Sequence, residues 1–190
     1  MNRYELYLFV HIVAAIVWIG AAFLLQVLAL QADRARSDAA LKKVVEDTIA
    51  LAKVLFIPSS LTLFVFGLLM VVDGPWSFEQ LWITIGLAGW AATFATGIAV
   101  IRPRAERIGA LMEEEGGLGP RAAAEARKLL IISRIDLVVL FLVVADMVAK
   151  PTSDDVGLLV LMAVVLGAGV AWSLWRARSI EARPAAGEPA

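Results

Sequence analysis

The chain has 190 residues, 61% of them hydrophobic, a formal net charge of −1 and a mean hydropathy of +0.81. Soluble domains are roughly 45–50% apolar, so the excess points to a membrane protein. With no cysteine and one histidine, a single chain cannot build a Cys/His zinc site, a thiol nucleophile, a cysteine-based copper relay or a bis-histidine haem site, and no nucleic-acid-binding module is present.

A helix needs about 20 apolar residues to cross about 30 Å of hydrocarbon. Five segments meet that need: 6–30, 49–72, 81–101, 129–149 and 156–175. The first is longer than a signal-peptide core of roughly 7–15 residues, and only Arg3 and Glu5 carry charge ahead of it. A permanent span is expected. His11, the only histidine, lies inside it. Ala15, Trp18 and Ala22 share its side of the helix at i+4, i+7 and i+11. This stripe of small residues around one indole is expected to face the bundle. Gly20 lies about half a turn away and is expected to pack another helix.

In the linker that follows, Ser37 can cap a helix running through Leu41, Val44, Val45 and Thr48 into span two. Span two carries Lys53 near its start, then Pro58-Ser59-Ser60 and Thr62. Proline frees a backbone carbonyl that nearby hydroxyls can satisfy, which predicts a kink, a gate or a cavity wall. Asp73-Gly74-Pro75-Trp76 reads as a tight turn. Span three presents Gly86, Trp90, Thr93 and Gly97 at helical spacing, a small-residue packing face. After Arg102-Pro103 a helical stretch reaches Glu115, and Gly116-Gly117-Leu118-Gly119-Pro120 breaks it. A third stretch, 121–134, continues into span four, which ends at Lys150-Pro151. The residues of 181–190, rich in proline and alanine, are expected to be a disordered tail.

The basic residues fix an expected orientation. Fifteen lie in the two longer linkers, the adjoining span ends and the tail, against Arg3 and Lys150 on the other side. The positive-inside bias then places the N-terminus outside and the C-terminus in the cytoplasm. Trp76 and Trp82 fall at the outer interface, Trp172 and Trp175 at the inner one, as aromatic anchors do. The expected fold is a single all-α domain, residues 1–180: a polytopic bundle of five transmembrane helices in a bacterial cytoplasmic membrane. Its partners are the lipid bilayer and a possible second copy or membrane protein, with no nucleic acid.

An ionisable side chain in hydrocarbon is a functional candidate by default. The plain expectation for His11 is one interhelical hydrogen bond to a backbone group or carboxylate. The sharper one is a ligand site. Asp146, Met147, Met70 and Met162 lie in the same outer half by depth, and imidazole with thioethers suits Cu(I) or a haem iron. In the inner half, Lys53, Asp136 and Arg134 form a second polar group. Arg134 and Asp136 are i, i+2 and do not face each other, so Asp136 is expected to look across to Lys53 or Gln26.

His11 with Trp18 and Gly20, Ser133-Arg134-Ile135-Asp136, and Met147-Val148-Ala149-Lys150-Pro151 together resemble a bacterial family of predicted integral membrane proteins of unknown function. That family is distantly similar to copper-resistance protein D and to the small haem-associated membrane oxidases of porphyrin synthesis. The resemblance spans most of 4–151. It implies His11 as a site residue with Trp18 and Gly20 as helix neighbours. Three functions stay open. The first is a transport or accessory protein with a small-solute or ion cavity near His11. The others are a haem-binding redox protein using His11, and a structural or assembly subunit. The balance leans away from an enzyme, and haem and copper remain possible cofactors.

Overall fold

The first helix, α1 (Arg3–Arg34), starts on a reciprocal cap. The Asn2 side chain accepts the Glu5 amide at 2.8 Å, and the Glu5 carboxylate accepts the Asn2 amide at 3.0 Å. The computed structural model describes residues 2–35 and 37–181, and all regular elements in them are helical. The remainder of the expected tail, 182–190, lies outside the described residues. Ser37 caps α2 (Asp38–Leu51) by accepting the Ala40 amide at 3.2 Å. That helix does not end where the apolar segment begins. It passes through a π-helical turn, Ala52–Phe56, into α3 (Ile57–Asp73). Likewise α4 (Leu81–Thr96) passes through a second π-helical turn, Gly97–Ile101, into α5 (Arg102–Glu114). Two further helices follow, α6 (Pro120–Ala149) and α7 (Val156–Glu181).

The two π turns have one cause. Each is followed two residues later by proline, Pro58 in one rod and Pro103 in the other. Proline has no amide hydrogen, and its ring crowds the carbonyl four residues back. Widening the preceding turn to an i→i+5 bond relieves the crowding without ending the helix. The amides of Ile57 and Arg102 bond to the carbonyls of Ala52 and Gly97 accordingly. Ser59 Oγ donates to the Leu55 carbonyl at 2.6 Å, satisfying a group in the widened turn.

At 1.5 Å per residue even α6 is about 45 Å long, more than a bilayer core needs. The excess collects at the end that bears the basic linkers. There the last turns of α1, with α2, α5 and the start of α6, enclose a core that includes Leu41, Val45, Ala105, Ile108, Ala122 and Ala126. Ala105, Ile108 and Ala122 have no exposed surface. Three alanines among these positions let the rods approach closely. Charged side chains stay on the outer faces, as in the Arg121–Glu115 pair at 2.9 Å, and contribute little each. Gly116, at φ 69, ends α5 in the left-handed conformation that glycine adopts without strain.

Four stretches are long and apolar enough to cross a membrane: Arg3–Arg34, Ala39–Asp73, Leu81–Glu114 and Val156–Trp175. Only 6–17% of their most apolar windows is buried in the bundle, so their apolar surface faces outward, to lipid. α6 differs because Arg134, Asp136 and Asp146 interrupt its apolar segment. It is also the helix with neighbours on several sides: α1, α4, α5 and α7 all pack on it. In the loop that follows α6, the Thr152 amide and hydroxyl both donate to the Asp155 carboxylate at 2.8 Å, holding that group below the usual carboxylate range.

Candidate functional site

Two cavities lie one beyond the other in the bundle, and Trp18 lines both. The wide one, about 620 Å³, occupies the end away from the basic linkers. His11 forms part of its wall. Its Nδ1 lies 2.8 Å from the Leu63 carbonyl of α3. A carbonyl can only accept, so Nδ1 carries the hydrogen. The neutral ring then keeps Nε2 as a bare acceptor, and Nε2 has no hydrogen-bond partner among the described residues. Gly67, one turn beyond Leu63, makes the approach possible. A Cβ there would stand 3.2 Å from His11 Cε1 and 3.3 Å from Nδ1.

Aromatic rings and one cation close the end of this cavity. Trp76 Nε1 donates to the Tyr4 hydroxyl at 2.9 Å. Trp76 and Trp82 meet edge to face with centroids 5.2 Å apart. The Lys150 ammonium lies 3.9 Å from the centroid of Trp76 and 5.4 Å from that of Trp82. Lys150 reaches them because it caps α6 in the left-handed conformation, φ 48, just before Pro151. The opposite end carries a three-ring stack. Trp90 lies between Phe64, at 4.0 Å, and Phe94, at 5.0 Å. Trp90 Nε1 donates to Ser60 Oγ at 3.0 Å, which binds α4 to α3 below the cavity.

The sides of the wide cavity are apolar. Ile12 and Ile16 of α1 and Val144 and Val148 of α6 line it and are also exposed, Ile16 at 66% and Val148 at 80%. The wall therefore opens sideways between α1 and α6, toward the lipid. Of the residues singled out in the sequence, His11, Met70, Met147, Trp18 and Gly20 all border this space. Gly20 faces open space rather than a neighbouring helix. Asp146 is fully buried between α6 and α4, its Oδ2 3.5 Å from the place a Gly86 Cβ would take, and neither carboxylate oxygen has a hydrogen-bond partner among the described residues. Met162 is on α7 and borders neither cavity. Depth alone grouped these residues in the sequence, and depth does not fix the angle at which a side chain leaves its helix.

The narrow cavity, about 140 Å³, lies nearer the basic linkers and brings Gln26, Ser133 and Asp136 together. Lys53 is not there. It lies exposed in the first π turn and forms no ion pair with Asp136 among the described residues. Thr48 and Ala52 line the cavity, and Lys53, one residue after Ala52, leaves the helix about a quarter turn away from that face. Arg134 points the other way, 5.9 Å from the Trp172 ring of α7.

Lipid-facing apolar rods around enclosed polar groups define an all-helical integral membrane bundle. The chain belongs to the family described as "Predicted integral membrane protein (DUF2269)", which matches residues 5–151, from the first turn of α1 to the proline that follows α6. No curated protein and no solved structure matches it significantly. The matched segment holds every residue that lines either cavity except Tyr4 and ends before α7.

Proposed function

We propose that the protein is a membrane transport or accessory protein that binds a small, lipid-borne solute in the wide cavity at His11. One observation carries this reading: an imidazole nitrogen with no partner among the described residues, in a cavity of about 620 Å³ whose walls, apart from Lys150 at one end, are apolar and aromatic. Ligand pockets typically measure about 300–1,000 Å³, with few polar groups that set orientation. A bare Nε2 accepts hydrogen bonds, so the solute carries a hydroxyl or N–H donor on an apolar body. The opening between α1 and α6 favours entry from the bilayer over entry from water. In this reading α6 is a fifth crossing, its charged residues shielded by the helices around it. The basic end faces the cytoplasm of a bacterial cell, in line with the fifteen-to-two split of basic residues. Solvent extraction and mass spectrometry of the purified protein test the site. A solute retained by the wild type and lost from a folded His11→Leu variant, which has no acceptor, supports it; equal solute in both contradicts it.

A second reading rests on Met70 and Met147, whose side chains border the same cavity as His11. Imidazole with a thioether is a known haem ligand pair and also suits Cu(I). His11 and one methionine would hold the iron, and the apolar walls would enclose the porphyrin. A haem would supply one-electron chemistry there. An absorption spectrum with a Soret band, absent in His11→Gln, would select this reading over the first.

A further inference from the structure

The narrow cavity has a chemistry of its own. At about 140 Å³ it has room for several waters, since one water needs roughly 10–15 Å³ of such space. Uncharged polar side chains line it from five helices: Gln26 from α1, Thr48 from α2, Ser60 from α3, Thr93 from α4 and Ser133 from α6. Some are already engaged. Thr93 Oγ1 donates to the carbonyls of Gly89, at 3.1 Å, and Trp90, at 3.0 Å. Ser60 Oγ accepts from Trp90. The Gln26 amide is not. Its Nε2 has no partner among the described residues, and the residue is only 7% exposed. Buried donors in folded proteins find an acceptor, in protein or in ordered water. The Asp136 carboxylate borders the same space.

Both π turns also border it, through Ala52 and Phe56 of one and Gly97, Ile98 and Ile101 of the other. Such turns recur at functional sites. The charged groups around Asp136 are few. From α5, Arg102 lines the cavity and its Nε donates to Glu106 at 2.9 Å. On α6, Arg134 lies toward Trp172. The lining residues of α1, α2, α3 and α4 include no charged side chain, and Lys53 of the first π turn is exposed away from the wall.

We propose that the narrow cavity is a hydrated proton-binding site in which Asp136 takes the proton and Gln26 anchors the water that delivers it. The water accepts from Gln26 Nε2 and donates toward the Asp136 carboxylate. A hydronium ion arriving along the cavity gives one proton to a carboxylate oxygen and leaves as water. The reverse transfer restores the carboxylate. Only O–H bonds form and break, and no redox partner is needed. The site stands independently of any solute in the wide cavity.

Infrared difference spectra of the full chain in lipid nanodiscs, titrated with pH in H2O and in D2O, test the proposal. The expected result is a carboxylic-acid carbonyl band that grows as pH falls, shifts promptly in D2O and is missing from Asp136→Asn. If that variant does not assemble, Asp136→Glu keeps an acid in the cavity and must move the same band. Gln26→Leu should keep the band but slow its deuterium shift by about fivefold, the factor for losing one ordinary hydrogen bond. Three results would overturn the proposal: spectra unchanged by both Asp136 variants, a band that resists D2O, or exchange that Gln26→Leu leaves untouched.

Discussion

The two cavities are built largely by the same rods and yet differ in size and in the polar groups they hold. At the basic end, Ala32, Ala105 and Ala122 draw the helices together over a packed core, and the space left above it is small, with a few polar side chains set in an apolar lining. At the other end the described residues form no comparable buried cluster. There α1 packs closely on α3 and α4 on α6, and the space between these two pairs is large, mainly apolar and open between α1 and α6, with Trp18, Trp76, Trp82 and Trp90 in its lining. The small cavity has room for waters beside Gln26 and Asp136, and the large one has room for an apolar solute.

The largest effect is expected where the rods are tied together. Ile108 has no exposed surface, and truncating a buried Ile to Ala typically costs about 2–5 kcal/mol. Ile108→Ala should lower the thermal midpoint in detergent strongly, while the folded fraction keeps its solute in the wide cavity. Loss of solute without loss of stability would reverse the roles assigned to the two ends.

Next in size is Gly67→Leu. The side chain would drive into the His11 ring, and overpacking of this kind costs about 1–3 kcal/mol. His11 should lose its bond to Leu63, a change visible in the imidazole nitrogen resonances. Unchanged resonances would mean that Gly67 does not set the ring. A smaller effect is expected from Trp90→Phe, which keeps the stack and removes the bond to Ser60, a net loss of about 1 kcal/mol. That change sits between the cavities and should weaken the wall they share. Solute retention and the Asp136 infrared band should then respond together, and a response of only one would locate the wall elsewhere. The smallest stability change belongs to Val148→Trp at the lateral opening, where exposed substitutions stay within about 0.5 kcal/mol. Its signature is kinetic: slower uptake of solute from vesicles. Uptake at the wild-type rate would argue against entry between α1 and α6.

Much of this molecule is legible in its sequence because its signals are local. The Ser37 cap, the break at Gly116–Pro120 and the end of α6 at Lys150-Pro151 follow from residue chemistry within one turn. The helical linkers and their continuation into the spans follow from periodicity. Two features escaped for physical reasons. The π turns are one of several ways a helix can relieve a proline, and Pro58 and Pro103 announce the strain but not its resolution. The expected bond from His11 to a backbone group is there, but which carbonyl accepts it was not legible, since every residue carries one. Gly67, one turn beyond Leu63, is the only trace it leaves in the sequence.

The central claim is that the wide cavity holds an apolar solute against His11 Nε2. A cryo-electron microscopy structure of the protein in native-lipid nanodiscs, at a resolution that shows side chains, tests it most directly. The account predicts density continuous through the cavity between Trp18 and Trp76, with one polar atom within about 3 Å of Nε2. A collapsed cavity, or one in which α1 and α6 close over His11 with nothing beside Nε2, would contradict it.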